Sequence, residues 1–98
     1  MPMARIYISG PISGVEDFKH KFAQAERQLQ EQGHEVIKPT DVELLLPNGA
    51  YEEYMRIDML LLDMCDTIYM LKGWEKSCGA NREYGYALAK NYTILQQE

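Results

Sequence analysis

The sequence contains few of the residues that form disulfides or hold metals. It has two cysteines, Cys65 and Cys78, in no CxxC motif, and its two histidines lack metal-ligand spacing. Two reduced thiols are usual in a cytosolic protein. We therefore expect neither a disulfide nor a metal site.

Long apolar runs and an excess of basic residues are also missing. No apolar run approaches the ~20 residues that a membrane helix needs, and the opening MPMARIYISG becomes polar too early for a signal peptide. The formal net charge is −5 and the 10 Lys and Arg residues are scattered, which disfavours binding to polymeric nucleic acid. We expect a cytoplasmic protein that binds neither membranes nor polymeric nucleic acid.

The remaining composition is that of an ordinary globular protein in a short chain. The 98 residues are 46% hydrophobic and 26% charged, which fits one domain over residues 1–98. Because so short a chain buries only a modest fraction of its surface, association of copies would add stability. We expect a homodimer or a higher homo-oligomer.

Short β-prone segments alternate with segments of helical periodicity along the chain. Strands are predicted at residues 4–9, 35–38, 67–71 and 92–95, and long helices at residues 15–32, 51–65 and 78–90. This order predicts a three-layer α/β fold, a flavodoxin- or Rossmann-like parallel sheet of about four strands flanked by helices. Ligands of such sheets bind at the carboxyl ends of the strands, which directs attention to residues 10–14, to residues 72–79 and to the segment after the second strand.

The first of these segments is rich in glycine and serine. Residues 7–14 have the sequence YISGPISG, and glycines at the end of a strand let a ligand approach the backbone closely. The segment has neither the G-x-G-x-x-G of dinucleotide sites nor the G-K-[ST] of a P-loop. An ordinary turn, with Tyr7 as a hydrogen-bonded core tyrosine, explains it as well.

The second segment begins the last predicted helix. Ser77 is a favourable N-cap, the amides of residues 78–80 are then free to hold an anion, and Gly79 leaves room for a phosphate. Glu83 follows in the next turn, although a solvated glutamate favoured by the helix dipole accounts for it equally well. Trp74, in the preceding loop, either stacks on a base or covers the core.

An acidic residue lies beside the apolar stripe of the predicted helix 51–65. The stripe consists of residues three or four apart, Tyr54, Ile57, Leu61 and Met64. Asp58 follows Ile57 and could point into a cleft, but its spacing alone favours a solvated position. No serine or cysteine is arranged beside a histidine, so a nucleophilic triad has no support.

Three segments occur together in one order along nearly the whole chain: IYISGPISG, DMLLLDMCD and SCGANREYGYALAKNYTIL. The second has a D-x(7)-D spacing, and the third contains an S-x-G-x-x-x-E-x-G-x-A block. Together they resemble the nucleoside 2-deoxyribosyltransferase family and its hydrolytic relative, 2′-deoxynucleoside 5′-phosphate N-hydrolase. The resemblance is greatest to a small, often phage-encoded branch of that superfamily.

The resemblance implies catalytic roles for three residues. Glu83 matches the family's nucleophilic glutamate, Asp58 its assisting aspartate, and Tyr7 the tyrosine near the nucleophile. The implied activity is cleavage or transfer of the N-glycosidic bond of a (deoxy)nucleoside or its 5′-monophosphate. The partner is then a small-molecule nucleoside or nucleotide, and no cofactor is implied.

The resemblance also implies residues that bind the substrate. Ser77 and Gly79 match a phosphate-binding serine and glycine, and Gly10 matches the loop glycine after the first strand. Ser13 stands where the hydrolase has a phosphate-binding arginine. We keep Ser13 and Trp74 as further candidates for substrate binding, with the core position of Trp74 as the alternative.

The alternative function is a nucleotide-binding or sensing module that uses the same pocket without catalysis. Ser13, in place of the arginine, favours the module, as does the end of the chain at Glu98, where family members continue. The joint presence of Glu83, Asp58 and Tyr7 favours the enzyme. A purely structural protein would leave the glycine-rich loop and the S-x-G-x-x-x-E block unexplained.

Overall fold

The computed structural model describes residues 3–12 and 14–98. Its strands are β1 (Arg5–Ser9), β2 (Glu35–Ile37), β3 (Thr67–Met70) and β4 (Thr93–Gln96). Its helices are α1 (Phe18–Glu31), the single turn α2 (Val42–Leu45), α3 (Tyr51–Asp63) and α4 (Cys78–Ala89). Two 3₁₀ turns, Pro39–Asp41 and Trp74–Lys76, precede α2 and α4.

The strands form a parallel sheet in the order β2-β1-β3-β4. The predicted three-layer α/β fold with a four-stranded parallel sheet is therefore confirmed. β1 is an inner strand: the chain moves from it to β2 on one side, and then crosses back over β1 to reach β3 on the other side. Such a reversal opens a crevice at the carboxyl ends of the strands, where ligands of these folds bind.

The core lies on both faces of the sheet because successive β1 side chains point in opposite directions. On one face, Ile6 and Ile8 pack against α1, which buries Phe22, Ala25 and Leu29. On the other face, a second cluster joins the sheet to α3 and α4; it comprises Tyr7, Leu62, Cys65, Ile68, Met70, Ala80 and Ala87. We refer to these two sides as the α1 face and the α3/α4 face.

Several predicted element boundaries differ from the observed ones by one to three residues, and two of them have a clear backbone cause. Helix α1 begins at Phe18 instead of residue 15, because turns precede it: the Val15 amide donates to the Ile12 carbonyl and the Phe18 amide to the Val15 carbonyl. Strand β4 begins at Thr93 instead of residue 92. The Tyr92 amide there still donates to the Ala87 carbonyl and helps to end α4.

The apolar stripe predicted for α3 is also wrong by one residue. The side chains that α3 buries are Met55, Asp58 and Leu62, whereas Met64 of the predicted stripe is exposed. The error arises because a buried aspartate is invisible to a search for hydrophobic periodicity. Within the described residues, every helix is too short or too polar to span a membrane.

Candidate active site

A cavity of about 680 Å³ opens beyond the carboxyl ends of β1 and β2. This volume lies within the range of roughly 300–1,000 Å³ that is typical of small-molecule sites. Gly10 and Ile12 line it after β1, and Pro39 and Thr40 line it after β2. The remaining walls come from α1, α2, α3 and the first turns of α4, so every layer of the fold contributes to the cavity.

Glu83 is held in this cavity by two hydroxyl groups of β1. The Tyr7 hydroxyl donates to Glu83 Oε2 at 2.6 Å, and the Ser9 hydroxyl donates to Glu83 Oε1 at 2.5 Å. Tyr7 and Ser9 are fully buried, and only 4% of Glu83 is exposed. Each carboxylate oxygen therefore has one donor on a rigid inner strand, which fixes the orientation of the carboxyl group.

The electrostatics of Glu83 reflect opposing effects. Burial raises the pKa of its carboxyl group to about 7, although the hydrogen bonds from Ser9 and Tyr7 and the charge of Arg82 oppose that rise. Burial and the charge of Glu83 raise the pKa of Tyr7, so the phenol remains a donor. The explanation of Glu83 as a solvated helix-start residue is wrong.

Asp58 is the second buried acid of the cavity. It is 6% exposed, and burial together with the charge of Glu83 raises its pKa to about 7. Among the described residues, its Oδ1 atom is buried and has no hydrogen-bond partner. The solvated position that spacing alone favours is wrong, and Asp58 lies in the cavity lining with Glu83.

The first turn of α4 forms another wall of the cavity through Ser77 and Gly79. The Ser77 hydroxyl accepts a hydrogen bond from the Ala80 amide at 3.2 Å, so this amide is not free as predicted. Among the described residues, no hydrogen bond occupies the amides of Cys78 and Gly79. A Cβ on Gly79 would lie 3.2 Å from Met55 Sδ, so glycine keeps this wall open.

The other predicted binding residues have different positions. Gly10 lines the cavity, and a Cβ there would lie 2.8 Å from the Leu71 side chain. Trp74 is not among the lining residues, because its ring packs against Tyr84 at a centroid distance of 4.6 Å and covers the core. Ser13 lies outside the described residues.

The sequence analysis missed Ser9, which contacts Glu83, and several residues that line the cavity. Ser9 is two residues after Tyr7, so the alternation of a strand could have assigned both hydroxyls to one face. Glu43, Tyr51 and Lys76 also line the cavity, but elements far apart in the sequence bring them there and no local signal marks them. Among the described residues, no cluster of three or more His, Cys, Asp or Glu side chains could hold a metal ion.

Comparisons with known proteins agree with this architecture. Residues 4–96 match the family described as Domain of unknown function (DUF4406). No curated protein matches the sequence. Three solved structures are similar in fold: a 2-deoxyribosyltransferase from the psychrotolerant bacterium Bacillus psychrosaccharolyticus, a 2-deoxyribosyltransferase from Leishmania mexicana, and a conserved protein from Enterococcus faecalis V583.

The three structures share little sequence with this chain. The Bacillus enzyme is 23% identical with a TM-score of 0.75, over 95% of this chain and 71% of that chain. The Leishmania enzyme is 21% identical with a TM-score of 0.72. The Enterococcus protein is 19% identical with a TM-score of 0.71, and each of these two matches covers 97% of this chain. This chain spans only 63% of the length of those two proteins. The 2-deoxyribosyltransferase-like fold is thereby confirmed.

Proposed function

The chain belongs to the family described as Domain of unknown function (DUF4406), and we propose that it cleaves or transfers the N-glycosidic bond of a (deoxy)nucleoside or its 5′-monophosphate. The proposal depends on one observation, the pair of buried acids in the cavity lining. Glu83 has a donor on each oxygen, whereas Asp58 has an unpartnered oxygen. The fold shared with 2-deoxyribosyltransferases supports the substrate class.

The first step of the proposed reaction is attack by Glu83. Cleavage of the glycosidic bond builds positive charge on C1′ of the sugar, and the Glu83 carboxylate attacks that carbon to form a glycosyl ester. The C1′–N bond breaks, and its electron pair leaves with the base. The base takes a proton from the Asp58 carboxyl group, which becomes a carboxylate.

The second step returns both acids to their starting states. A water molecule, or the N–H of a second base, attacks C1′, and the ester bond breaks with its electron pair returning to Glu83. Asp58 accepts the proton of the attacking group. Water completes hydrolysis, and a second base completes transfer. The pKa of about 7 at Asp58 suits an acid that gives up and regains a proton at neutral pH.

The wall formed by α4 offers a position for a 5′-phosphate. The Cys78 and Gly79 amides are unpartnered among the described residues, and they lie at the positive end of the helix dipole. Lys76 lines the cavity beside them and would add a positive charge. These groups favour a nucleoside monophosphate over an uncharged nucleoside.

The test measures release of free base by chromatography from a panel of nucleosides and their 5′-monophosphates. We expect activity in the wild type and its loss, on the order of 10³-fold or more, in Glu83→Gln, which removes the nucleophile. Glu75→Gln is the matched control, because Glu75 is exposed and is not among the residues that line the cavity. Equal rates in Glu83→Gln and the wild type would contradict the mechanism.

Binding is measured separately from chemistry through the two cysteines. Cys78 is exposed and lines the cavity, whereas Cys65 is buried. A bound nucleotide should slow alkylation of Cys78 and raise the melting temperature. Protection of Cys78 without base release would replace the enzyme with the nucleotide-binding or sensing module. An alkylation rate that no nucleotide changes would contradict both functions.

A further inference from the structure

Ser9 contacts the carboxyl group of Glu83 and is not among the residues that line the cavity. Its hydroxyl donates to Oε1 at 2.5 Å, and its side chain is fully buried. Its backbone is fixed as well, because Ser9 pairs with Met70 of β3 and its carbonyl accepts the Leu71 amide at 2.8 Å. Any effect of Ser9 on a ligand must therefore pass through Glu83.

We propose that Ser9 is a positioning residue that keeps Glu83 ionised and oriented, so that the proton shared by the two buried acids resides on Asp58. As far as reaction rate is concerned, this role depends on the proposed function. As a statement about protonation, it can be tested without any substrate.

The two acids differ in the hydrogen bonds that they accept. A donor on each oxygen of Glu83 stabilises its charged form. No hydrogen bond from the described residues reaches Oδ1 of Asp58, so nothing at that atom offsets the cost of burial. When one proton is present on the pair, Asp58 is the more favourable position for it. That arrangement supplies a nucleophilic carboxylate and an acid at the same pH.

The charged and titratable neighbours leave this asymmetry in place. From β1, Tyr7 remains protonated, since burial and the charge of Glu83 raise its pKa. From α3, Asp58 is the acid coupled to Glu83. From α4, Arg82 favours the charged form of Glu83, but its guanidinium is paired with Glu52 at 3.0 Å and is half exposed. The two hydroxyls are thus the donors in direct contact with Glu83.

Ser9 is not replaced by Tyr7. The two donors bind different oxygens, so the loss of Ser9 leaves Oε1 buried without a partner and Oε2 still bonded. A carboxyl group with one bare oxygen accepts a proton there more readily. The remaining bond also permits rotation of the carboxyl plane, which two bonds prevent.

The test is the substitution Ser9→Ala, measured by the pH titration of the Glu83 side-chain carboxyl in carbon-13 NMR. Glu83→Gln assigns the signal. We expect the apparent pKa of Glu83 to rise by roughly one to two units, the equivalent of one hydrogen bond to a charged group. Ser9→Thr keeps the hydroxyl and should restore the wild-type titration.

A matched control separates this effect from a general loss of stability. Thr67→Ala removes another buried strand hydroxyl, whose hydrogen bond goes to Asp66 and not to Glu83. It should lower the melting temperature and leave the Glu83 titration unchanged. If Ser9→Ala does not fold, Ser9→Cys retains the volume with a weaker donor and should give a smaller rise in the same direction.

Enzyme kinetics provide the second readout. In Ser9→Ala, kcat should fall most on the acid side of the pH profile, and KM should change little because Ser9 is not among the lining residues. An unchanged Glu83 titration in every folded Ser9 variant lacking the hydroxyl would overturn the proposal. If the titration shifts but the wild type releases no base, the positioning role stands and the proposed function fails.

Discussion

The two faces of the sheet share one strand but differ in chemistry. On the α1 face, β1 contributes Ile6 and Ile8, which pack with Phe22 in an apolar cluster. On the α3/α4 face, the same strand contributes Tyr7 and Ser9, both hydrogen-bonded to a buried acid. Among the four consecutive residues from Ile6 to Ser9, the even positions therefore build the apolar core and the odd positions hold the buried acid.

The difference suggests how so short a chain tolerates a costly site. Burying Asp58 and Glu83 opposes folding whenever they are charged. The α1 face carries no such cost, and its apolar burial contributes stability at every pH. We infer that the α1 face stabilises the fold and the α3/α4 face carries the site, and three further substitutions test this division.

The largest effect on stability is expected from Phe22→Ala on the α1 face. Phe22 is fully buried, so the substitution should lower the free energy of unfolding by about 3 to 5 kcal/mol. Denaturant unfolding measures the loss, and the fraction that remains folded should keep its affinity for nucleotide. Leu60→Ala, at an α3 residue that is 67% exposed, is the control and should change little. If Phe22→Ala and Leu60→Ala lowered the free energy of unfolding by similar amounts, the stabilising role assigned to the α1 face would be wrong.

An intermediate effect, of opposite sign, is expected from Asp58→Asn on the α3/α4 face. Burial and the charge of Glu83 raise the pKa of Asp58 to about 7 in the folded state from its ordinary value of 3.8 in the unfolded chain, so the folded protein binds more protons between these pH values. Stability is therefore lost as the pH rises through about 7. Asp58→Asn removes the buried charge, and we expect it to raise the free energy of unfolding at pH 8 by about 1 to 3 kcal/mol while abolishing base release.

Thermal melts from pH 5 to pH 9 measure this effect. The wild type should lose stability between pH 5 and about pH 7 and level off above that, and Asp58→Asn should have a flatter profile. Asp17→Asn is the control, since Asp17 is exposed and forms only a weak pair with Lys21. If the melting temperature of Asp58→Asn depended on pH as strongly as that of the wild type, the buried charge of Asp58 would not be what destabilises the α3/α4 face.

The smallest effect is expected from Ser77→Ala at the start of α4. Loss of the cap to the Ala80 amide should lower the free energy of unfolding by about 1 kcal/mol. Because the same turn lines the cavity, affinity for a nucleoside monophosphate should fall more than affinity for the nucleoside. Calorimetric titration with both ligands measures the ratio, and equal losses would argue against a phosphate at this wall.

Most of the fold could be predicted because its signals are local. The β-prone run from Ile6 to Ile8 and the stripe of α1 each indicate an element from a few neighbouring residues. The errors in the element boundaries come from local backbone hydrogen bonds. The helix-ending hydrogen bond of Tyr92 and the turns before Phe18 are backbone arrangements that hydrophobic periodicity does not report.

The candidate site was predicted less completely, and the resemblance contributed more to it than the spacing. Glu83, Asp58 and Tyr7 came from motif positions, while spacing alone left Glu83 undecided and favoured the wrong environment for Asp58. Its position in a loop near the strand ends left Trp74 open between stacking on a base and covering the core, and in the structure it packs on Tyr84. A loop position alone does not determine which way a side chain turns.

The sequence by itself determined the order of strands and helices, the parallel sheet and the end of the sheet at which the cavity opens. These properties depend on alternation, periodicity and the handedness of short connections. Only the tertiary structure decided that Ser9 joins Tyr7 on Glu83, across 74 and 76 positions of the chain. It also decided that Asp58 is buried beside them without a donor at Oδ1 among the described residues. Burial and hydrogen bonding of an acid depend on residues brought together from separate elements, and those contacts set its pKa.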